Sequence, residues 1–250
     1  MATNVFGTPV TDASVRLVFP NLRPEEITAT LRAQVALRDM NANNRADNAS
    51  TYVHNLKDAY GTGTTTLVTF FNATGGDLSF VRYHSWEGSV WRYPVPHLIQ
   101  NGQWGAFLHV RDRLMGPSKA ALIFSGLNHA GVACDWLLAW NTPRRHFQNR
   151  VYTEIRLSGG FNSVNWNTID NAMERNLTNH TRVWNGCLSS MALGAGSSPQ
   201  LVARVSLDGL TQLIADTEPL PSSLDSKYVD DDGQDDAEPT DAAAASTAAP

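Results

Sequence analysis

Residues 150–157 read RVYTEIRL, and this short run decides the fold. Val151, Thr153, Ile155 and Leu157 alternate with Tyr152, Glu154 and Arg156. A period of two sends the first set to a core and the second to water, the pattern of a half-buried strand. Just upstream, 132–140 (VACDWLLAW) puts Cys134, Trp136, Leu138 and Trp140 on one face. That much aromatic surface must pack against a second layer. The same β-branched and aromatic texture recurs at 64–72, 78–84, 106–111, 120–125, 182–191 and 200–207. About eight short strands separated by turn signals predict an antiparallel β-sandwich or barrel. The connection Ala73–Asp77, with its two glycines, reads as a hairpin turn between two of them.

Helices are expected on the flanks, so the class is mainly β within α+β. Residues 24–40 open with Pro24, Glu25 and Glu26, which suit the first turn of a helix. Ile27, Leu31 and Val35 then recur at four-residue spacing. A second helix is predicted from about Ser50 to Tyr60, stopped by Gly61, and a third around 167–177 from Ile169, Met173 and Leu177. The domain is expected to occupy residues 1–215 without an internal break. Residues 216–250 combine acidic runs, proline and alanine, and are expected to be a disordered tail because they cannot bury enough apolar surface to offset their entropy.

Charge divides at the same place. Ten Asp/Glu and one Lys lie in 216–250, which leaves 1–215 with fourteen acidic against eighteen basic side chains. The excess in the domain is small and its arginines are scattered, so nucleic acid is not an expected partner. The N-terminus shows no basic segment followed by an apolar run, and the default expectation is a cytoplasmic protein. Cys134 and Cys187 fit no metal or redox spacing and are expected to be buried free thiols.

No nucleophile elbow, metalloprotease helix, phosphate loop or dinucleotide fingerprint occurs. The seven histidines include none paired at metal-ligand spacing. No catalytic residue, metal or cofactor is therefore assigned. The distinctive stretch is 71–110, where Tyr83, Trp86, Trp91, Tyr93 and Trp104 are interleaved with glycine, proline and histidine. Aromatics with a polar tip suit a boundary between apolar and wet surroundings. These five are the candidate binding residues, for a membrane lipid headgroup or a glycan; the alternative is that they close one end of the sandwich.

Several segments also carry a family resemblance: Val5–Pro9, Asn55–Gly61, Phe71–Gly75, His84–Gly88 and Asn101–Val110. In that order they resemble the small jasmonate-induced proteins of cereals. More distantly the chain resembles the fungal nakanori-type proteins. The first resemblance implies an intracellular stress-response protein without an established catalytic activity. The second implies an actinoporin-like β-sandwich and recognition of membrane lipid. A lipid-binding stress protein is thus the first expectation, a carbohydrate-binding module the second, and an enzyme assembled from distant residues, such as His84, His97 or His109 with an acid, the third.

Overall fold

The computed structural model describes residues 4–113, 116–144 and 148–210. The expected tail, 216–250, lies outside them. The strands are β1 (Val5–Phe6), β2 (Thr65–Ala73), β3 (Leu78–Glu87), β4 (Ser89–Trp91), β5 (Leu98–Ile99), β6 (Trp104–Val110), β7 (Ser118–Leu127), β8 (Ala133–Thr142), β9 (Arg150–Leu157), β10 (Asn179–Trp184), β11 (Cys187–Leu193) and β12 (Gln200–Leu207). The helices are α1 (Asp12–Val18), α2 (Ala29–Arg38), α3 (Arg45–Tyr60) and α4 (Trp166–Met173).

Two sheets face each other. One runs β1-β6-β2-β12-β11-β10, with β4 on the other half of β6; the second runs β5-β3-β7-β8-β9. Pairing is antiparallel except between β12 and β2, which run parallel in register Gln200↔Leu67 through Ser206↔Ala73. The inter-sheet core holds Phe70, Phe107, Leu122, Phe124, Trp136 and Trp140. The alternation read in 132–140 therefore delivers both tryptophans to the centre of the sandwich, fully buried.

Two outer layers complete the β-sandwich. Helices α1–α3 cover the seven-stranded sheet through Val15, Val35, Leu37, Val53 and Leu56, packed on Leu67, Phe71 and Leu108. Helix α4 covers the five-stranded sheet, laying Ile169 and Met173 on Ile123, Leu137 and Ala139. That layer also takes up Tyr152, so the face of β9 assigned to water is partly covered. Leu157, assigned to the core, ends β9 with 52% exposure.

Three local expectations change. The segment 73–77 is not a hairpin turn: β2 and β3 belong to different sheets, and the segment is the corner between them. Gly75 (φ 78°) is pressed so close to α2 that a Cβ there would sit 2.0 Å from the Ala29 carbonyl oxygen. The single strand read over 182–191 is a hairpin, β10–β11, turned by Asn185 (φ 51°) and Gly186 (φ 74°). Two consecutive positive φ values are the mirror-image turn that matches strand twist, and Asn-Gly is its usual sequence. The helix expected over 24–40 is split. Pro24–Glu26 form one 3₁₀ turn, and α2 starts afresh after Thr28, whose Oγ1 accepts the Leu31 N–H at 3.3 Å.

Candidate functional site

The five aromatic candidates do not form one surface; they separate into four environments. Trp104, at the start of β6, is 4% exposed, and its indole N–H donates to the Met40 carbonyl at 3.0 Å. It anchors the chain leaving α2 to the sheet and offers nothing to a ligand.

Tyr83 turns into the inter-sheet core. Its hydroxyl lies 2.8 Å from His109 Nε2, and His109 Nδ1 lies 2.8 Å from Ser118 Oγ. Ser118 Oγ continues to Thr66 Oγ1 at 2.7 Å, and that to Thr142 Oγ1 at 2.8 Å. Burial drives the His109 pKa down to about 3, so the ring is neutral and uses one nitrogen as donor and the other as acceptor. A serine–histidine contact exists here, but both residues are fully buried. His97 is exposed at the edge of Phe80, and His84 lies on the outside of the five-stranded sheet. The three histidines do not converge on one pocket.

Trp86 sits with His84 and Trp166 under α4. The His84 and Trp166 rings stack at 4.0 Å and 4°, and Trp86 meets both edge-on. Lys119 closes this layer, reaching Asp170 at 2.6 Å and Glu174 at 3.1 Å, with Trp86 within 5.9 Å. Burial, then Arg82, lowers the His84 pKa, so the stacked ring favours its neutral form.

Trp91 and Tyr93 make the fourth environment, and it faces outward. They lie at the edge of the seven-stranded sheet beside α3. Trp91 meets the Tyr60 ring edge-on at 5.6 Å; Tyr93 is 6.3 Å from Tyr52, which is 5.4 Å from Phe6. All five rings are half-buried. Between Trp91 and Tyr93 stands Arg92, exposed, its guanidinium 5.7 Å from one ring centre and 5.6 Å from the other. Its φ is 64°, a conformation uncommon for a long side chain. Among the described residues no carboxylate forms an ion pair with it. An unpaired guanidinium framed by half-wet aromatic rings is chemically suited to a phosphate oxygen above an apolar boundary.

A second exposed set escaped the sequence reading. Leu127 ends β7, Val132 precedes β8 and Leu157 ends β9, exposed by 52%, 43% and 52%. These three strands are neighbours, so the residues share one end of the sandwich. In the sequence they look like further core positions, because nothing in a strand's alternation marks where its sheet partner stops.

The sequence matches the model of the Nakanori-like protein family over residues 6–207. The chain belongs to the Nakanori-like family. Among curated relatives, the 23 kDa jasmonate-induced protein of Hordeum vulgare is 39% identical over 179 residues, covering 70% of this chain and 84% of that one. A jasmonate-induced protein homolog from Atriplex canescens is 34% identical over 106 residues, 41% of this chain and 57% of that one. Among solved structures, the lipid binding protein Nakanori superposes with a TM-score of 0.73 at 23% identity, covering 81% of this chain and 99% of Nakanori. The Nakanori-like β-sandwich is thus the fold of this chain, as the resemblance implied. Neither the family description nor these names denote a reaction.

The family-resemblance segments have a structural use as well. Asn101 donates to the carbonyls of Val10 and Arg32 and accepts from the Gly75 N–H. Asn72 donates to Gly76 and Ile99. These two buried amides tie the N-terminal segment, α2, the 73–77 corner and the 100–103 turn into one joint.

Proposed function

We propose that this Nakanori-like protein is a non-enzymatic, cytoplasmic stress-response protein that binds membrane lipid through the Trp91–Arg92–Tyr93 edge. The observation that carries this reading is Arg92 itself. It is exposed, without an ion-pair partner among the described residues, flanked by two half-buried rings and held at positive φ. A non-glycine residue in that region costs on the order of 1 kcal/mol and tends to persist where a site needs it. Arginine offers a planar set of donors to a phosphate, while Trp and Tyr settle at the level of lipid headgroups. Kinship with jasmonate-induced relatives supports the stress role, and the likeness to a lipid-binding structure supports lipid as the ligand class.

Vesicle co-sedimentation across phosphatidylcholine, sphingomyelin–cholesterol and anionic mixtures tests it. Wild type should sediment with at least one class. Arg92→Gly should lose most of that binding while keeping or gaining thermal stability, since glycine accepts φ 64° without strain. Loss of binding in Leu127→Ser/Leu157→Ser with Arg92→Gly unaffected would move the lipid face to the aliphatic end. No sedimentation with any vesicle, joined to hits on a glycan array, would replace lipid by carbohydrate.

A further inference from the structure

Cys134 belongs to β8 of the five-stranded sheet, and Cys187 opens β11 of the seven-stranded sheet. Both are fully buried, and both stand in the inter-sheet core. Their sulfurs meet at one residue: Asn185 Nδ2 donates to Cys134 Sγ at 3.6 Å, and Cys187 Sγ donates to the Asn185 carbonyl at 3.7 Å. They are the chain's only cysteines. Two buried thiols held on one residue between the sheets, one from each sheet, are placed to be joined by oxidation.

We propose that Cys134 and Cys187 are a modification site: a dithiol that a low-molecular-weight disulfide, such as oxidised glutathione, converts into a bond joining the two sheets. One protein thiolate attacks a sulfur of the small disulfide, and one glutathione leaves as its thiolate. The second protein thiol attacks the mixed disulfide, and the second glutathione leaves. The protein loses two hydrogens and two electrons; the oxidant takes both and ends as two thiols.

The same structure sets the rate. Burial, and then the neighbouring Cys134, push the Cys187 thiol well above its ordinary value, so almost no thiolate is present in the closed state. Residues 128–133 and the Asn185–Gly186 turn form the roof over the pair. Asn128 Nδ2 donates to the Asn185 carbonyl at 2.8 Å, and Asn128 Oδ1 accepts from Ala130 and Val132. Gly186 is pressed on His129 so tightly that a Cβ would lie 2.1 Å from Nδ1. Residues 129–133 are themselves exposed. Oxidation therefore waits for this roof to lift, and Asn128 is the latch.

The full chain is incubated with oxidised glutathione and followed by intact mass without reductant. The expected product is about 2 Da lighter, carries no glutathione, and regains its mass with dithiothreitol. Its melting temperature should rise by about 5 °C or more, because the bond closes a long loop of the unfolded chain. Cys187→Ala should stop at a lasting glutathione adduct on Cys134. Asn128→Ala should speed oxidation of the folded protein about fivefold, the equivalent of one lost hydrogen bond of about 1 kcal/mol. A lasting adduct or an intermolecular dimer in wild type would overturn the proposal. So would a folded Asn128→Ala protein that stays reduced where the urea-unfolded chain forms the bond.

Discussion

His109 shows how much one enclosed ring can demand of its surroundings. Its nitrogens meet the hydroxyls of Tyr83 and Ser118, both at 2.8 Å. A neutral imidazole is satisfied by this arrangement; an imidazolium, needing two acceptors and carrying a charge in a dry core, is not. The pKa of about 3 lies below the ordinary value of the unfolded chain. Because the folded-state value is depressed for a base, the stabilisation is fully present above about pH 6.5 and is lost as pH falls from there toward 3. The unfolding free energy read from urea titrations should fall across that window by on the order of 1 kcal/mol per pH unit from this residue alone. His109→Gln should be less stable at pH 7 and should flatten the slope; an unchanged slope would assign it to other groups. Tyr83→Phe removes one partner without adding volume and should cost about 1–3 kcal/mol in the same assay. At this scale the sequence is a partial guide. The density of Tyr83, Trp86, Trp91, Tyr93 and Trp104 is legible in the sequence. Which of them face outward is not, because Tyr83 and Trp91 are separated by a bulged strand and a tight turn that no residue pattern announces. The strain at Arg92 is invisible for the same reason: arginine carries no preference for the conformation it is held in.

Elements were more legible than their connections. Strands 150–157 and 200–207 have the bounds expected for them, and in 150–157 a single buried face holds the register, because a slip of one residue would turn its apolar set outward. The connections misled where one residue type serves two purposes. Glycines at 75 and 76 signal a turn, yet here Gly75 permits backbone contact at a corner between sheets. Gly75→Ala should therefore cost several kcal/mol, combining positive φ with a clash against the backbone of α2; a melting temperature within 1–2 °C of wild type would refute the tight joint. Asn185-Gly186 carried the stronger hairpin signal, obscured by apolar residues running through 182–191. Helix α4 is fixed by both apolar and charged contacts. Ile169 and Met173 point down to the sheet, and Lys119, 15% exposed, binds Asp170 and Glu174. Glu174 also takes the Asn141 amide at 2.9 Å. Lys119→Ala removes the cation that joins Asp170 to Glu174 and leaves Glu174 with Arg150 at 3.5 Å and Asp170 without its lysine. It should lower stability by about 1–3 kcal/mol and raise amide exchange within 166–173 before the strands, as expected for a locally opening unit.

Among the described residues, α1–α3 pack on the outer face of one sheet and α4 on that of the other, while the half-buried Trp91–Tyr93 edge and the exposed Leu127, Val132 and Leu157 are two of the places where large apolar groups meet water. Charge is divided just as sharply along the chain. The ten acids and one lysine of 216–250 outweigh a domain with four more basic than acidic groups, giving −5 in total. An acidic segment of this kind is repelled by an anionic membrane within about a Debye length, roughly 10 Å at 0.1 M salt. If the domain meets lipid through Arg92, the tail opposes anionic vesicles and is indifferent to zwitterionic ones. A chain ending at residue 215 should then bind anionic vesicles more tightly than the full chain in low salt, with the gap closing at about 1 M salt. Its affinity for phosphatidylcholine or sphingomyelin vesicles should be unchanged. An equal gain on all vesicles would mean that the tail covers the lipid face directly, and salt would then leave the difference intact.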